Sequence, residues 1–126
     1  MATDWRSLCT GSRLEFEGDD VTVVFDGGRK HRVRVTETPD TYQLHAIVAR
    51  AAALWEQRER PLPVRIWEHN RAAQLVSFRI DTRGRVCAEG WVAKAGLTAE
   101  EFQLVLRRVA AESDRLEFIL TGKDVE

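Results

Sequence analysis

The segment "DTRGRVC" is the place in this sequence where covalent chemistry is easiest to imagine, because it sets Cys87 among arginines. If the segment belongs to a hairpin, Arg79 lies across from Cys87 on the neighbouring strand. A nearby cation favours the thiolate, so Cys87 is a candidate for a thiol-dependent enzyme or redox sensor. No histidine stands close in sequence to act as a base. We therefore favour an inert, half-covered thiol that points away from the main core.

The other residue types that bind metals or cofactors show no recognised spacing. His31, His45 and His69 form no H-E-x-x-H motif, and Cys9 and Cys87 form no C-x-x-C pair. The glycines match neither nucleotide-binding loop, and the carboxylates are not grouped into an acid and base pair. We expect no catalytic residue, no cofactor and no metal, in a protein that is not an enzyme.

The basic run "RKHRVRV" places Arg32 and Arg34 on one face of a predicted strand, where they could contact phosphates. Glu15 and Glu17 are expected on the neighbouring strand, and ion pairs with them explain the arginines without a ligand. The net charge of −1 gives no general attraction for nucleic acid. Nucleic acid is therefore an unlikely partner, and weak binding through Arg32 and Arg34 is kept as an alternative.

Length and composition indicate a folded protein. The chain has 126 residues, of which 44% are hydrophobic and 31% charged, so we expect one domain over residues 1–126. No apolar run is long enough to cross a membrane, and "MATDWRSLCTGS" lacks the features of a signal peptide. These observations predict a cytoplasmic protein, without membrane association, whose cysteines are reduced.

The first half of the sequence predicts strands. "ATDWRSLCTG" favours a short helix that docks through Trp5 and Leu8. Alternating apolar residues in "LEFE", "VTVVFD" and "RKHRVRVTE" then predict a three-stranded meander with a turn at "DGG". "TYQLHAIVA" predicts a fourth strand that carries Ile47 on the face opposite Tyr42 and Leu44. The sequence does not define where this strand ends within "RAAALWEQRER", because the alanines and long charged residues there also suit a helix.

Two helices are predicted in the second half. "LPVRIWEHNRAA" favours a short helix with Val64, Trp67 and, as a further candidate, Ala72 facing inward. Thr98 and Glu101 form a capping box that begins a long C-terminal helix, with Leu97 and Phe102 as its hydrophobic staple. Its predicted core stripe repeats at three and four residues: Phe102, Val105, Leu106, Val109, Leu116, Ile119 and Leu120.

Between these helices lies a predicted hairpin whose turn places Gly84 in the left-handed conformation and pairs Asp81 with Arg85. The resulting register pairs Ile80 with Val86, Phe78 with Ala88, Val76 with Gly90, Arg79 with Cys87, Ser77 with Glu89 and Leu75 with Trp91. The outer face becomes apolar at Leu75 and Trp91. With Ile47 or Trp55 near them they would form a patch for a partner. A covering helix is the alternative.

The segment from Trp67 to Gly122 resembles the YbjN-like family of bacterial sensory transduction regulators, whose fold is related to that of type III secretion chaperones. The resemblance lies in a helix, an "F-x-I-D-x-x-G" hairpin, a second strand and an "L-T-x-E-E-F" helix start. The N-terminal half matches in its strand pattern. The long first helix of the secretion chaperones is reduced here to at most "DWRSLC".

The resemblance implies an α+β fold in which an antiparallel sheet of about five to six strands packs against a long C-terminal helix. It also implies a non-enzymatic homodimer, and in the chaperone branch a partner segment held against apolar patches. We therefore predict a protein-binding module, a chaperone-like adaptor or regulator, whose contact residues are Leu75, Trp91 and Ile47.

Overall fold

The computed structural model describes residues 5–9, 13–50, 62–72 and 75–121, and these form an α+β fold. Within them an antiparallel sheet has the order β1-β2-β3-β4-β6-β5. The strands are β1 (Leu14–Glu17), β2 (Asp20–Val24), β3 (Lys30–Glu37), β4 (Thr41–Arg50), β5 (Ser77–Ile80) and β6 (Arg85–Ala93), and the helices are α1 (Leu62–Ala72) and α2 (Ala99–Thr121). The predicted fold class is confirmed. The segment "AAALWEQRER", with Trp55, lies outside the described residues.

The period-two pattern of the first four strands produces a sheet with one buried face. The inward side chains are mostly β-branched or aromatic: Val21, Val23, Val33, Val35, Tyr42, Leu44, Ala46 and Val48. Such side chains pack well on a pleated surface, and their removal from water stabilises the sheet. Residues between them point to the other face, where those of β3 are exposed. The predicted meander and fourth strand are confirmed.

The hairpin between β5 and β6 has the predicted turn. Gly84 has φ of 74°, which glycine adopts without strain, and its N–H donates to the Asp81 carbonyl at 3.0 Å. The Asp81 side chain also accepts hydrogen bonds from the N–H groups of Arg83 and Arg85, both at 2.9 Å. Burial alone would raise the pKa of Asp81, but these hydrogen bonds and the ion pair with Arg85 lower it to about 2. The turn is thus fixed by a carboxylate that stays ionised.

The long helix α2 begins as predicted. The Thr98 hydroxyl accepts a hydrogen bond from the N–H of Glu101 at 3.2 Å, and Phe102 is fully buried with Leu97 packed against the core. Phe102, Val105, Leu106, Val109 and Leu116 are all buried, which confirms most of the stripe. Ile119 is exposed, so its inward prediction is wrong. The side chain of Leu120 is outside the described set.

The predicted inward face of α1 is wrong. Val64 and Trp67 are exposed, Trp67 by 59%, whereas Ile66 is buried. The helix packs on the edge strand β5, and there the Asn70 amide donates to the Phe78 carbonyl at 2.9 Å and accepts from the Phe78 N–H at 2.7 Å. Ile66 and Asn70 are four residues apart and share this face, which turns Val64 and Trp67 outward. The side chain of Ala72 is not described.

The predicted N-terminal docking is confirmed. A single 3-10 turn, Trp5–Leu8, places Trp5 in the core, where its ring stacks on Phe102 with a centroid distance of 6.0 Å. Leu8 packs against the same core, and its carbonyl accepts a hydrogen bond from Gln103 at 2.7 Å. The turn is therefore anchored by α2 in addition to its own hydrogen bond from the Cys9 N–H to the Arg6 carbonyl oxygen.

Helix α2 approaches the sheet closely at Gly90 on β6. A Cβ at this position would lie 2.7 Å from Val105 Cγ1 and 2.9 Å from Val109 Cγ2, which is inside van der Waals contact. The absence of a side chain at Gly90 thus allows the helix to pack directly on the strand.

Replacing Gly90 with alanine should lower the free energy of unfolding by about 1–3 kcal/mol, because the added methyl forces α2 away from β6. Chemical denaturation monitored by circular dichroism measures this loss. Ala93→Ser, at an exposed position of the same strand, is the matched control and should stay within about 0.5 kcal/mol of the parent protein. An unchanged midpoint for Gly90→Ala would mean that the helix is not held at this distance.

Candidate protein-binding surface

The candidate surface is the sheet face opposite α2, here called the open face. The strand register arranges its side chains in rows that run across the sheet. One row holds Trp91, Gln43 and Thr36, and the next holds Glu89, His45 and Arg34. Trp91 therefore lies about 7 Å along the strands from the row that contains Glu89 and Arg34.

The charges of the first three strands are paired across the open face, but not as predicted. Arg34 binds Asp20 at 2.8 Å, and Arg32 lies 4.0 Å from the same carboxylate. Glu15 contacts Lys30 at 3.3 Å. Glu15 and Glu17 belong to β1, which pairs with β2 and not with β3, so the prediction that they neighbour the two arginines is wrong. Pairs this exposed contribute little stability.

A shallow depression of about 790 Å³ occupies the centre of the open face. Its lining has a basic majority, with Lys30, Arg32, Arg34, Arg83 and Arg85 facing Glu15 and Asp20. His45 also lines it, and burial lowers the pKa of that imidazole, with Glu89 opposing the shift. His45 is therefore neutral near pH 7, and the positive character comes from the lysine and the arginines. Phosphate or nucleic-acid binding through Arg32 and Arg34 stays a prediction.

Of the three proposed contact residues, Leu75 and Trp91 are both exposed, by 53% and 54%. Ile47 is half-buried and lines the depression. Trp91 pairs with Gln43 and Cys87 pairs with Ile47, which sets Ile47 about 13 Å from Trp91 along the strands. The structure thus brings Ile47 to the open face without bringing it against Trp91.

The pairing of β5 with β6 matches the prediction from Ile80↔Val86 to Ser77↔Glu89 and then stops. Leu75 has φ of 67°, which breaks the extended backbone that a further pair with Trp91 requires. Its carbonyl oxygen lies 3.3 Å from the position that a Cβ of Gly90 would occupy. Leu75 therefore lies near the Trp91 end of β6, but the predicted Leu75–Trp91 and Val76–Gly90 strand pairs are wrong.

The thiol of Cys87 differs from its predicted half-covered state, because Cys87 is 0% exposed. It pairs with Arg79 as predicted, yet its Sγ donates to Asp81 Oδ2 at 3.6 Å. Burial, followed by the negative charge of Asp81, raises the pKa of Cys87 to about 11, although Arg85 and Arg79 oppose the shift. The thiol is therefore protonated near neutral pH, and the reason for a Cys87 nucleophile is removed.

The rate of Cys87 alkylation should rise about tenfold per pH unit from pH 7 to pH 10 without reaching a plateau, because the thiolate forms only near pH 11. Iodoacetamide labelling measured by mass spectrometry, in a Cys9→Ser background, reports Cys87 alone. The urea-unfolded protein is the control and should show a midpoint near 8.5. A plateau at or below pH 8.5 in the folded protein would restore the redox hypothesis.

Among the described residues, none of the helices combines the length and the apolar character needed to span a membrane.

Comparison with known proteins places the fold. No family model matches the chain, and no curated protein matches it either. The similar solved structures include the following three complexes. A chain of the ExsC–ExsE complex has a TM-score of 0.57 and 18% identity, over 80% of this chain and 75% of that one. A chain of the heterodimeric ExoU–SpcU complex from the type III secretion system of Pseudomonas aeruginosa has a TM-score of 0.57 and 12% identity, over 85% and 87%.

A chain of the HopA1–SchA chaperone–effector complex has a TM-score of 0.51 and 9% identity, over 94% of this chain and 87% of that one. Together with the antiparallel sheet and the long C-terminal helix, these likenesses define a type III secretion chaperone-like fold. Likenesses at identities this low show the fold alone and carry no function over to this chain.

Proposed function

We propose that this chain is a non-enzymatic protein-binding module, a chaperone-like adaptor or regulator of the YbjN-like kind, that acts in the cytoplasm as a homodimer. The observation that carries the proposal is the exposure of Trp91 on the open face and of Leu75 near the same end of β6. Burial of a large apolar side chain by a partner contributes more binding energy than burial of a small or polar one.

The partner segment that fits this surface has an apolar part and an acidic part. Apolar side chains of the partner would cover Trp91 and Leu75, whose exposure in the free chain leaves apolar surface in water. Acidic side chains would enter the depression one row away, where Arg34 and Arg83 contribute to the basic majority and Ile47 supplies an apolar wall. Charge complementarity of this kind selects the partner and speeds association.

The likeness to chaperone structures supports a protein partner. Each of the three similar chains was solved within a complex, and HopA1–SchA is described as a chaperone–effector complex. The same fold can carry unrelated functions, so the exposed side chains of this chain, and not the fold alone, make the proposal specific.

The test compares Leu75→Asp and Trp91→Asp with Trp67→Asp. The first two place a charge on the proposed surface, and we expect each to weaken partner binding by at least tenfold, about 1.4 kcal/mol. Trp67 is equally exposed but belongs to α1, so Trp67→Asp should bind as the parent chain does. A partner identified by pull-down from the native host and then purified allows the affinities to be measured by calorimetry.

The folded state of each variant is checked by circular dichroism, and its mass by analytical ultracentrifugation. Unchanged affinity in folded Leu75→Asp and Trp91→Asp would show that the surface assignment is wrong. A monomeric mass for the parent chain at micromolar concentration would remove the homodimer from the proposal and leave the partner-binding surface in place.

A further inference from the structure

Three ionisable residues meet in the core, on the opposite side of the sheet from the proposed binding surface. His31 of β3 is 1% exposed, and Asp114 and Glu117 of α2 are 5% and 0% exposed. One ligand atom from each residue lies within 4.8 Å of the others. We propose that His31, Asp114 and Glu117 bind one divalent transition-metal ion, which ties the C-terminal half of α2 to β3.

The backbone explains why these three side chains meet. Asp114 and Glu117 are three residues apart on α2 and therefore share one helix face. His31 has its side chain on the buried face of β3, in the alternation that also buries Val33 and Val35. The helix packs on β3, so this helix face meets that strand face.

A backbone carbonyl orients the ring of His31. His31 Nε2 lies 3.0 Å from the carbonyl oxygen of Ile47. A carbonyl only accepts hydrogen bonds, so Nε2 carries a proton, and Nδ1 is the ring nitrogen that would bind the ion when it carries none. A backbone carbonyl that orients the second ring nitrogen is the usual outer contact of a metal-binding histidine. The backbone pairing of β3 with β4 runs only from Glu37 to Arg34. The hydrogen bond from the His31 ring to Ile47 therefore joins the two strands past the point where their backbone pairing ends.

One of the carboxylates is also oriented. Arg29 Nη2 lies 3.3 Å from Asp114 Oδ2, which fixes one oxygen of that side chain and directs the other elsewhere. Arginine contacts of this kind hold ligating carboxylates in place. Two carboxylates and an imidazole supply three ligands of the oxygen and nitrogen type that Zn²⁺, Mn²⁺ and Fe²⁺ accept. A doubly charged ion would also offset the charge of both buried carboxylates.

The distances suit an ion after a small contraction. Ligand atoms about 2.1 Å from a tetrahedral ion are about 3.4 Å apart, so separations of up to 4.8 Å must shorten by up to about 1.4 Å. The proposal therefore requires the side chains to adjust their torsions when the ion binds.

The experiment uses the full chain, stripped with a chelator and then titrated with Zn²⁺ by calorimetry, with Co²⁺ as a spectroscopic probe. We expect one ion per chain and a rise in the melting temperature of about 5 °C or more at saturation. Glu117→Gln and Asp114→Asn keep the side-chain size and should each weaken binding more than about tenfold. His45→Gln, a histidine of the open face, is the matched control and should bind as the parent chain does.

A second measurement needs no core variant. Long-range proton–nitrogen NMR of the histidine rings should show that Zn²⁺ shifts the Nδ1 resonance of one histidine, whose Nε2 stays protonated. The same shift should be seen in His45→Gln, so the affected ring is not that of His45. Absence of stoichiometric binding by the folded chain would overturn the proposal. So would Co²⁺ spectra with thiolate charge-transfer bands, or undiminished binding by folded Glu117→Gln and Asp114→Asn.

Discussion

The contact between α2 and β6 at Gly90 sets the distance between the two layers of the fold. Val105 and Val109 approach the strand backbone at a position where any side chain would collide with them. This approach presses one stripe of α2 onto β3, β4 and β6 and completes the buried face of the sheet. Because α2 lies against that face, most outward side chains that the structure describes on the same strands are left for solvent or for another molecule, although Cys87 is buried among its neighbours.

The open face combines two kinds of interaction with different roles. Its ion pairs, such as Arg34 with Asp20, are exposed and contribute little to folding, but they fix where positive charge is presented. Trp91 and Leu75 contribute little to the core and present apolar area instead. Mutation of the charges should therefore alter partner choice and association rate, whereas mutation of the apolar pair should alter affinity.

Local patterns in the sequence were sufficient to predict much of this fold. The period-two strands, the Gly84 turn and the Thr98 cap each depend on residues within a few positions of one another, and all three are confirmed. The inward face of α1 was predicted wrongly because Asn70 binds the edge of β5, a contact that helical periodicity does not contain. Glu15 and Glu17 were wrongly set beside Arg32 and Arg34, although the predicted meander itself places β2 between β1 and β3.

The same limit applies to the buried cluster. His31 and the pair Asp114 and Glu117 come from opposite ends of the chain, so a search for closely spaced ligands does not find them. The sequence contains a weaker indication of the cluster. Two acids, Asp114 and Glu117, flank Leu116 at helix positions where the amphipathic pattern predicts buried side chains. Buried acids on an otherwise apolar face require polar neighbours, and His31 and Arg29 are the neighbours that the fold supplies.

At Cys87, burial and one hydrogen-bonded carboxylate outweigh two neighbouring arginines. Arginines outnumber acids in "DTRGRVC", and because nearby cations favour a thiolate, a reactive Cys87 was kept as the alternative to an inert thiol. In the fold, Arg85 is engaged by Asp81 at 2.8 Å, and the guanidinium of Arg79 by Glu89, so part of their effect on the thiol is cancelled. The Asp81 carboxylate itself lies 3.6 Å from Sγ and accepts its proton in a hydrogen bond. Burial and this one carboxylate therefore outweigh two arginines, and the residue that fixes the turn also keeps the cysteine protonated.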